Sequence, residues 1–160
     1  MNISKYITLA EAIKSPTATR LGIENTPDAQ QLSAMRYVAE HVFDKVREFV
    51  GGPLAASSFF RSHALNDAVG GSSKTSQHMN GEAIDIDADV FGNSDNLAIF
   101  NFIKGQLVFD QLILEYPDLE GRPSWVHVSL VDHPKQNRGQ VLVKLKEKYI
   151  PFGSYEIGMI

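Results

Sequence analysis

Apolar residues spaced three and four positions apart predict one long core helix in the N-terminal part of the chain. They run from Leu32 to Phe49 and form a single apolar face. Thr26 and Pro27 are suited to begin this helix, because proline lacks the N–H group that a first helical turn leaves unpaired. A glycine–proline turn that starts at Gly51 ends it.

Shorter helices are predicted where capping residues precede an apolar face. Thr8 and Glu11 have the spacing of a capping box, which marks the start of a helix. Pro16 is expected to end that helix and to begin a loop that reaches Pro27. The shorter predicted helices cover residues 8–15, 64–69 and 95–104, the last one behind a cap at Ser94.

Alternation of apolar and polar residues predicts strands in the remaining segments. The predicted strands cover residues 54–60, 82–89, 110–116, 125–131 and 139–148, and an irregular tail follows them. A turn-prone segment joins residues 110–116 to residues 125–131, which are expected to pair as a hairpin. We therefore predict one α+β domain over residues 1–160, in which helices flank a small, mostly antiparallel sheet.

The composition narrows the possible partners. A formal net charge of -4 argues against nucleic acid, which requires a concentrated basic surface. Lys144, Lys146 and Lys148 are expected on one face of the last strand, a face that is usually solvated; contact with an anionic polymer is the alternative. No apolar run is long enough to span a membrane, so we expect no membrane partner. With no cysteine in the chain, any metal must be held by histidine and carboxylate.

Two of the histidines are candidate metal ligands. Surface, capping or loop roles suit the other three, which are His41, His63 and His133. His78 lies in a turn-rich loop, Asp85 follows it on a strand, and His127 lies on the polar face of a later strand. A catalytic zinc site needs three nitrogen or oxygen ligands and one open position, which these residues could supply. A solvated strand face for Asp85 and a satisfied core position for His127 are the alternatives.

Three segments together resemble the zinc D-alanyl-D-alanine carboxypeptidase family. They are SSFFRS around Arg61, SxHxxGxAxDI around His78 and WVHVS around His127, in that order. The resemblance covers most of the chain and is greatest to the small phage-type members, in a family that includes peptidoglycan-cleaving endolysins. It implies the fold that this family shares with the Hedgehog signalling domain. It also implies His78, Asp85 and His127 as ligands of Zn²⁺ in a metallopeptidase that acts on cell-wall peptide.

The resemblance implies roles for side chains around the metal as well. Arg61 would hold a carbonyl or carboxylate of the substrate, for which its charged, bidentate guanidinium is suited; a surface salt bridge is the alternative. Ser76 matches a serine that hydrogen-bonds substrate or ligand, and a role in the loop turn is the alternative. Gly81 allows the backbone to turn between His78 and Asp85.

The general base is the point at which the chain departs from the family pattern. Several members carry an acid three residues before the last histidine ligand, where this chain has Ser124. We predict that Glu115 substitutes for it, because pairing opposite His127, or two residues away, places both side chains on one face of the hairpin. A strand-edge role for Glu115 is the alternative. Asp132 and His133, just past the strand, are less suited candidates.

The prediction is a zinc peptidase that cuts the stem or cross-link peptide of peptidoglycan, as a D-Ala-D-Ala-type carboxypeptidase or as an endopeptidase. In the implied reaction zinc activates water, Arg61 and the metal stabilise the oxyanion, and Glu115 carries the proton. Asp87 has the parity of Asp85 and could lie near the metal, and we expect it either to support the metal ligands or to serve a turn rather than to bind the metal itself. We expect a monomer made in the cytoplasm without a signal peptide and released to the cell wall, as for a phage or prophage endolysin. The alternative is a non-catalytic, zinc-stabilised wall-binding or virion module.

Overall fold

The computed structural model describes residues 1–70, 72–133 and 136–160, which form an α+β fold. Its α-helices are α1 (Leu9–Ala12), α2 (Pro16–Leu21), α3 (Ala29–Val38), α4 (Asp44–Val50), α5 (His63–Ala68) and α6 (Asn96–Gln106). Its strands are β1 (Ala55–Ser58), β2 (Ala83–Asp87), β3 (Gln111–Glu115), β4 (Trp125–Ser129), β5 (Gln140–Lys144) and β6 (Tyr149–Pro151). A π-helical segment, Ala39–Phe43, joins α3 to α4, and short 3-10 helices cover Gln77–Asn80, Ala88–Val90 and Phe152–Ser154. Within the described ranges, no helix is long and apolar enough to cross a membrane.

The strands of the described residues form one mixed sheet in the order β1-β2-β4-β3-β5-β6. Strands β3 and β4 pair as the predicted antiparallel hairpin, and β2 pairs with the other edge of β4. The prediction of a mostly antiparallel sheet is wrong, because β5 lies beside β3 and runs parallel to it. After β4 the chain passes β3 and adds β5 on its far side. Alternation of apolar and polar residues within a strand does not determine which strand it pairs with.

One face of the sheet belongs to the core, and the other face is left for the candidate site. Helices α3 and α6 pack against the sheet on the core face. That face carries Ile84 and Ile86 of β2, both fully buried as predicted. Since successive side chains of a strand point to opposite faces, Asp85 of β2 and His127 of β4 lie on the other face.

Three helices begin at residues other than those predicted. The side chain of Ser15 caps α2 and Pro16 occupies its first turn, so the segment predicted to be a loop contains a helix. Pro16 starts a helix here because the first turn does not need its N–H group. Helix α3 begins behind Asp28, which forms a capping box with Gln31. Asp95, rather than the serine before it, caps α6.

The C-terminal strand is shorter than predicted. Strand β5 ends at Lys144, and the chain then turns, with the Leu145 N–H donating to the Lys148 carbonyl oxygen at 2.9 Å. Strand β6 returns antiparallel to β5 through part of the segment predicted to be an irregular tail. Lys146 and Lys148 are exposed in the turn, so the predicted face of three lysines does not form.

Gly81 holds the loop that carries His78 against helix α3. Its φ of 75° lies in the left-handed region, and an added Cβ would stand 2.5 Å from the Gln31 carbonyl oxygen. We expect Gly81→Ala to lower the free energy of unfolding by about 3 kcal/mol or more, because left-handed strain adds to a backbone clash. Gly22, with a φ of 64° and nothing within 4 Å of an added Cβ, provides the matched control.

Gly22→Ala introduces the strain without the clash and is expected to cost about 1 kcal/mol. Urea unfolding of both variants measures the difference. Equal losses of stability would contradict the role assigned to the contact between Gly81 and α3.

Candidate functional site

Three side chains that are distant in sequence converge on the open face of the sheet. His78 comes from the 3-10 helix Gln77–Asn80, Asp85 from β2 and His127 from β4, where Asp85 and His127 are directly opposite in the antiparallel ladder. One possible ligand atom from each residue lies within 4.8 Å of the others, so the group could hold a metal ion. Asp85 lies between the core residues Ile84 and Ile86, and His127 lies between two buried valines of β4. Because successive side chains of a strand alternate between faces, Asp85 and His127 share the face away from the core.

His78 is oriented by the backbone beneath it. Its Nδ1 lies 2.6 Å from the Phe59 carbonyl oxygen, and because a carbonyl can only accept, Nδ1 carries the proton and donates it. The lone pair of Nε2 therefore points away from that bond, towards Asp85 Oδ2 at 3.3 Å. Nε2 is buried and has no hydrogen-bond partner among the described residues. Burial lowers the pKa of His78, and the adjacent carboxylate of Asp85 opposes that effect.

Asp85 lies between the two imidazoles. Its Oδ1 is 2.9 Å from His127 Nδ1, while Oδ2 faces His78. Burial raises the pKa of Asp85, but the interactions with His78 and His127 outweigh burial and hold the pKa well below its ordinary value. The carboxylate is therefore ionised, and the three side chains together present two nitrogen donors and one anionic oxygen donor.

Glu115 lies on the neighbouring strand β3 and faces the same side. It is opposite Trp125 in the β3–β4 ladder, two positions along from the pair formed by Ile113 and His127. The two-residue offset is one of the registers that the sequence predicted to place Glu115 and His127 on one face. Glu115 is 7% exposed, and burial raises its pKa to about 7. A carboxyl group with that pKa can both accept and release a proton near neutrality.

Arg61 follows β1 and borders the cluster on the other side. Its backbone N–H donates to the His78 carbonyl oxygen at 3.2 Å, and its Nη1 donates to Asn66 Oδ1 at 3.2 Å. Its Nε is buried without a partner among the described residues. Burial lowers the pKa of Arg61, and the nearby carboxylate of Asp85 opposes that effect. Arg61 therefore holds a desolvated positive charge beside the candidate ligands.

Two buried asparagines support this arrangement, and the sequence did not single them out. Asn25 donates to the carbonyl oxygens of Ile13 and Phe60 and accepts from the Ser62 N–H, which fixes the backbone on both sides of Arg61. Asn66 accepts from Arg61 and donates to the Ser73 carbonyl oxygen. Buried amides with several partners are the signal that could have identified them, but burial is not visible in one sequence.

Other predicted residues have local structural roles. Ser76 Oγ accepts from the His78 N–H at 3.3 Å and caps the short helix, which is the loop-turn role. Asp87 Oδ1 accepts from the Asp89 N–H and from Asn96 Nδ2, each at 3.0 Å, so of the two roles left open by the sequence Asp87 has the one in the turn after β2. Four other residues considered from the sequence are exposed and do not line the cleft with the candidate ligands. They are His41, His63, Asp132 and His133.

The cluster lies in a cleft of about 830 Å³ that crosses the strands. Its lining includes Lys14 and Pro16, which follow the helix that packs on β1, and Lys144 and Tyr149 of β5 and β6. Strands β2 and β4, which carry Asp85 and His127, lie between β1 and β5 in the sheet. The cleft therefore extends to both sides of the candidate metal centre.

Asp110 fixes part of the rim of this cleft. It is 3% exposed and accepts hydrogen bonds from Arg138 N, Nε and Nη2 and from Gln77 Nε2, at 2.9 to 3.0 Å. The hydrogen bonds from Arg138 hold the pKa of Asp110 below its usual range. Asp110 thus ties the loop of His78 to the segment that leads into β5.

Comparison with known proteins agrees with this geometry. The sequence model of the family described as Peptidase M15 matches residues 5–129, which include Arg61, His78, Asp85, Glu115 and His127. No curated protein matches the chain. Because the match covers well over half of the sequence, the chain belongs to the Peptidase M15 family, the zinc D-alanyl-D-alanine carboxypeptidase-like peptidases that its motifs resemble.

Proposed function

We propose that the protein is a zinc-dependent peptidase that hydrolyses peptide bonds of bacterial peptidoglycan. The observation that carries the proposal is the convergence of His78, Asp85 and His127 at the floor of a cleft that also contains the buried carboxyl group of Glu115. Membership of the Peptidase M15 family supports the same reaction and the same class of substrate.

The three candidate ligands fit Zn²⁺. His78 Nε2 is buried and has no hydrogen-bond partner among the described residues. A buried nitrogen without a partner costs free energy of folding unless a ligand binds it. Two neutral imidazoles and one carboxylate are a common donor set for catalytic zinc and leave a position for water. When bound there, zinc would supply a Lewis acid that activates water and polarises a carbonyl group.

Glu115 and Arg61 carry the remaining chemistry in this proposal. Glu115 takes a proton from the attacking water and transfers it to the leaving amine, for which its place in the cleft on the same face as His127 is suited. Arg61 donates from its guanidinium to the substrate carbonyl or to a nearby carboxylate, and the charge that develops on the oxygen strengthens that contact. Asn66 keeps the guanidinium in position through its Oδ1.

We further propose that the scissile bond lies inside a peptide rather than at its terminus. A cleft that continues on both sides of the candidate ligands supports this, since a substrate can extend in both directions. The alternative is a carboxypeptidase, which would release only a terminal D-alanine. The resemblance to small phage-type members supports an endolysin role.

Digestion of purified cell walls tests the proposed function and names the bond. We expect zinc-loaded protein to release soluble muropeptides, and we expect a chelator to stop release. Mass spectrometry of the products distinguishes a cleaved cross-link or stem from the loss of one terminal residue. Tight wall binding by zinc-loaded protein without any released fragment would overturn the enzyme and favour a non-catalytic wall-binding module.

A further inference from the structure

The cleft continues from Glu115 onto strands β5 and β6, which form its outer bank. Glu115 lies opposite Lys144 in the β3–β5 ladder, and Lys144 lies opposite Tyr149 in the β5–β6 ladder. Trp125 lies opposite Glu115 on β4, and all four side chains line the cleft. They form a row across four strands, beside the row that contains His127. Lys144 and Tyr149 lie beyond residues 5–129, the segment that the family model matches. The family match therefore does not cover this side of the cleft.

Lys144 brings a positive charge to that bank. Its Nζ lies 4.2 Å from the centroid of the Tyr149 ring, a cation–π contact that restrains the ammonium group. Among the described residues, Lys144 forms no ion pair with a carboxylate. Lys146, two residues further on, is exposed in the turn and does not line the cleft. The charge of Lys144 opposes the effect of burial on the pKa of Glu115, which lies opposite it in the β3–β5 ladder, but the two groups are not within ion-pair distance. An anion that enters the cleft would therefore meet Lys144 as a restrained charge that is not in a salt bridge.

Aromatic rings border this charge. Tyr116 has a φ of 47°, which is left-handed, and its ring centroid lies 5.4 Å from that of Trp125. Tyr116 is 41% exposed and Tyr149 is 53% exposed, so both offer ring surface to a ligand. Apolar rings beside an ammonium group suit a carboxylate that is carried on a short aliphatic chain.

The strand geometry indicates which substrate group can reach Lys144. Strands β4 and β5 are separated by two strand spacings, roughly 10 Å, and the two rows are roughly 7 Å apart along the strands. The Cα atoms of Lys144 and His127 are then roughly 12 Å apart, which an extended peptide covers in about three residues. A carboxylate about three residues from the scissile bond therefore matches the separation of the two rows.

We propose that Lys144, Tyr149 and Tyr116 form a specificity subsite for a free carboxylate of the substrate, about three residues from the bond that is cut. The subsite lies on the side of the candidate ligands away from Arg61. This inference rests on the proposed function and adds that the protein selects acidic peptides over amidated ones.

Two synthetic stem peptides test the subsite once the cleaved bond is known. They are identical except that the carboxyl group about three residues from the scissile bond is free in one and amidated in the other. We expect zinc-loaded wild-type protein to prefer the free acid about fivefold in kcat/KM, and we expect salt to weaken the preference. Lys144→Met should remove the preference, whereas Lys146→Met, the matched control, should keep it.

Calorimetric binding of both peptides to Glu115→Gln protein separates recognition from hydrolysis. Equal hydrolysis of the two peptides by wild-type protein, or a preference that survives Lys144→Met, would overturn the subsite and leave the proposed function intact. Binding that favours the acid and depends on Lys144, with no hydrolysis of either peptide, would support the subsite and overturn the peptidase.

Discussion

Replacing Asp85 with alanine is expected to abolish both zinc binding and peptide hydrolysis. The substitution removes the anionic donor between His78 and His127 and leaves two histidine ligands. A catalytic zinc site with two protein ligands holds the ion poorly, so we expect zinc affinity to fall by at least about 100-fold. Metal content measured by mass spectrometry and release of muropeptides from cell walls are the two measurements.

Asp87→Ala is the matched control, because it removes a carboxylate from the same strand. Asp87 bonds Asp89 and Asn96 in the following turn rather than facing the candidate ligands. We expect this variant to lose about 1 kcal/mol of stability with the cap and to retain zinc and activity. Stoichiometric zinc in Asp85→Ala protein would contradict the ligand assignment, and loss of zinc in Asp87→Ala protein would show that the wrong aspartate was chosen.

Glu115→Gln is expected to reduce hydrolysis by about 10²- to 10⁴-fold while zinc binding stays stoichiometric. Glutamine keeps the size of the side chain and cannot accept and return a proton. Glu120→Gln, an exposed change in the turn between β3 and β4, is the control and should leave the rate unchanged. Hydrolysis by Glu115→Gln protein within a few fold of wild type would show that another group carries the proton.

The same variant should make the metal-free protein more stable at alkaline pH. Because burial raises the pKa of Glu115 from 4.5 to about 7, the folded state binds this proton more tightly than the unfolded state. That contribution is fully present below pH 4.5 and is lost as the pH rises through about 7. The stability of Glu115→Gln relative to wild type should therefore rise over this range by up to about 3 kcal/mol.

Urea unfolding in the presence of a chelator, from pH 4 to pH 8, measures this difference. The contribution of His78 has the opposite pH dependence, but it is present in both proteins and cancels. A difference between the two proteins that does not change with pH would contradict a buried, protonatable Glu115. An inactive variant that is more stable than wild type cannot have lost activity by unfolding.

Local patterns in the sequence predicted which side chains of β2, β3 and β4 point away from the core. Strict alternation along β2 and β4 separates Asp85 and His127 from the core-facing isoleucines and valines, so their shared face follows from strand geometry alone. The hairpin register of Glu115 was narrowed to a few possibilities by the same parity. The side of its strand on which each residue lies depends on close neighbours or on one hairpin, whereas the pairing of β2 with β4 joins distant segments.

Contacts between distant segments could not be predicted in this way. The parallel position of β5 depends on its contacts with β3 and on the clamp between Asp110 and Arg138, and neither leaves a periodic signal. Asn25 and Asn66 look like ordinary polar loop residues until the fold buries them around Arg61. Lys144 looked like part of a solvated lysine face because the turn after it could not be anticipated.

The order of the strands places the candidate metal ligands and the proposed substrate subsite on different parts of the sheet, so each can evolve without the other. The candidate metal ligands come from β2 and β4 in the interior of the sheet and from a loop packed on α3, so substitutions there disturb the core. The outer bank comes from β5 and the edge strand β6, which join the rest of the sheet through β3 alone. Under the proposed function and subsite, changes in this edge pair would alter which peptide is accepted while the candidate metal ligands stay the same.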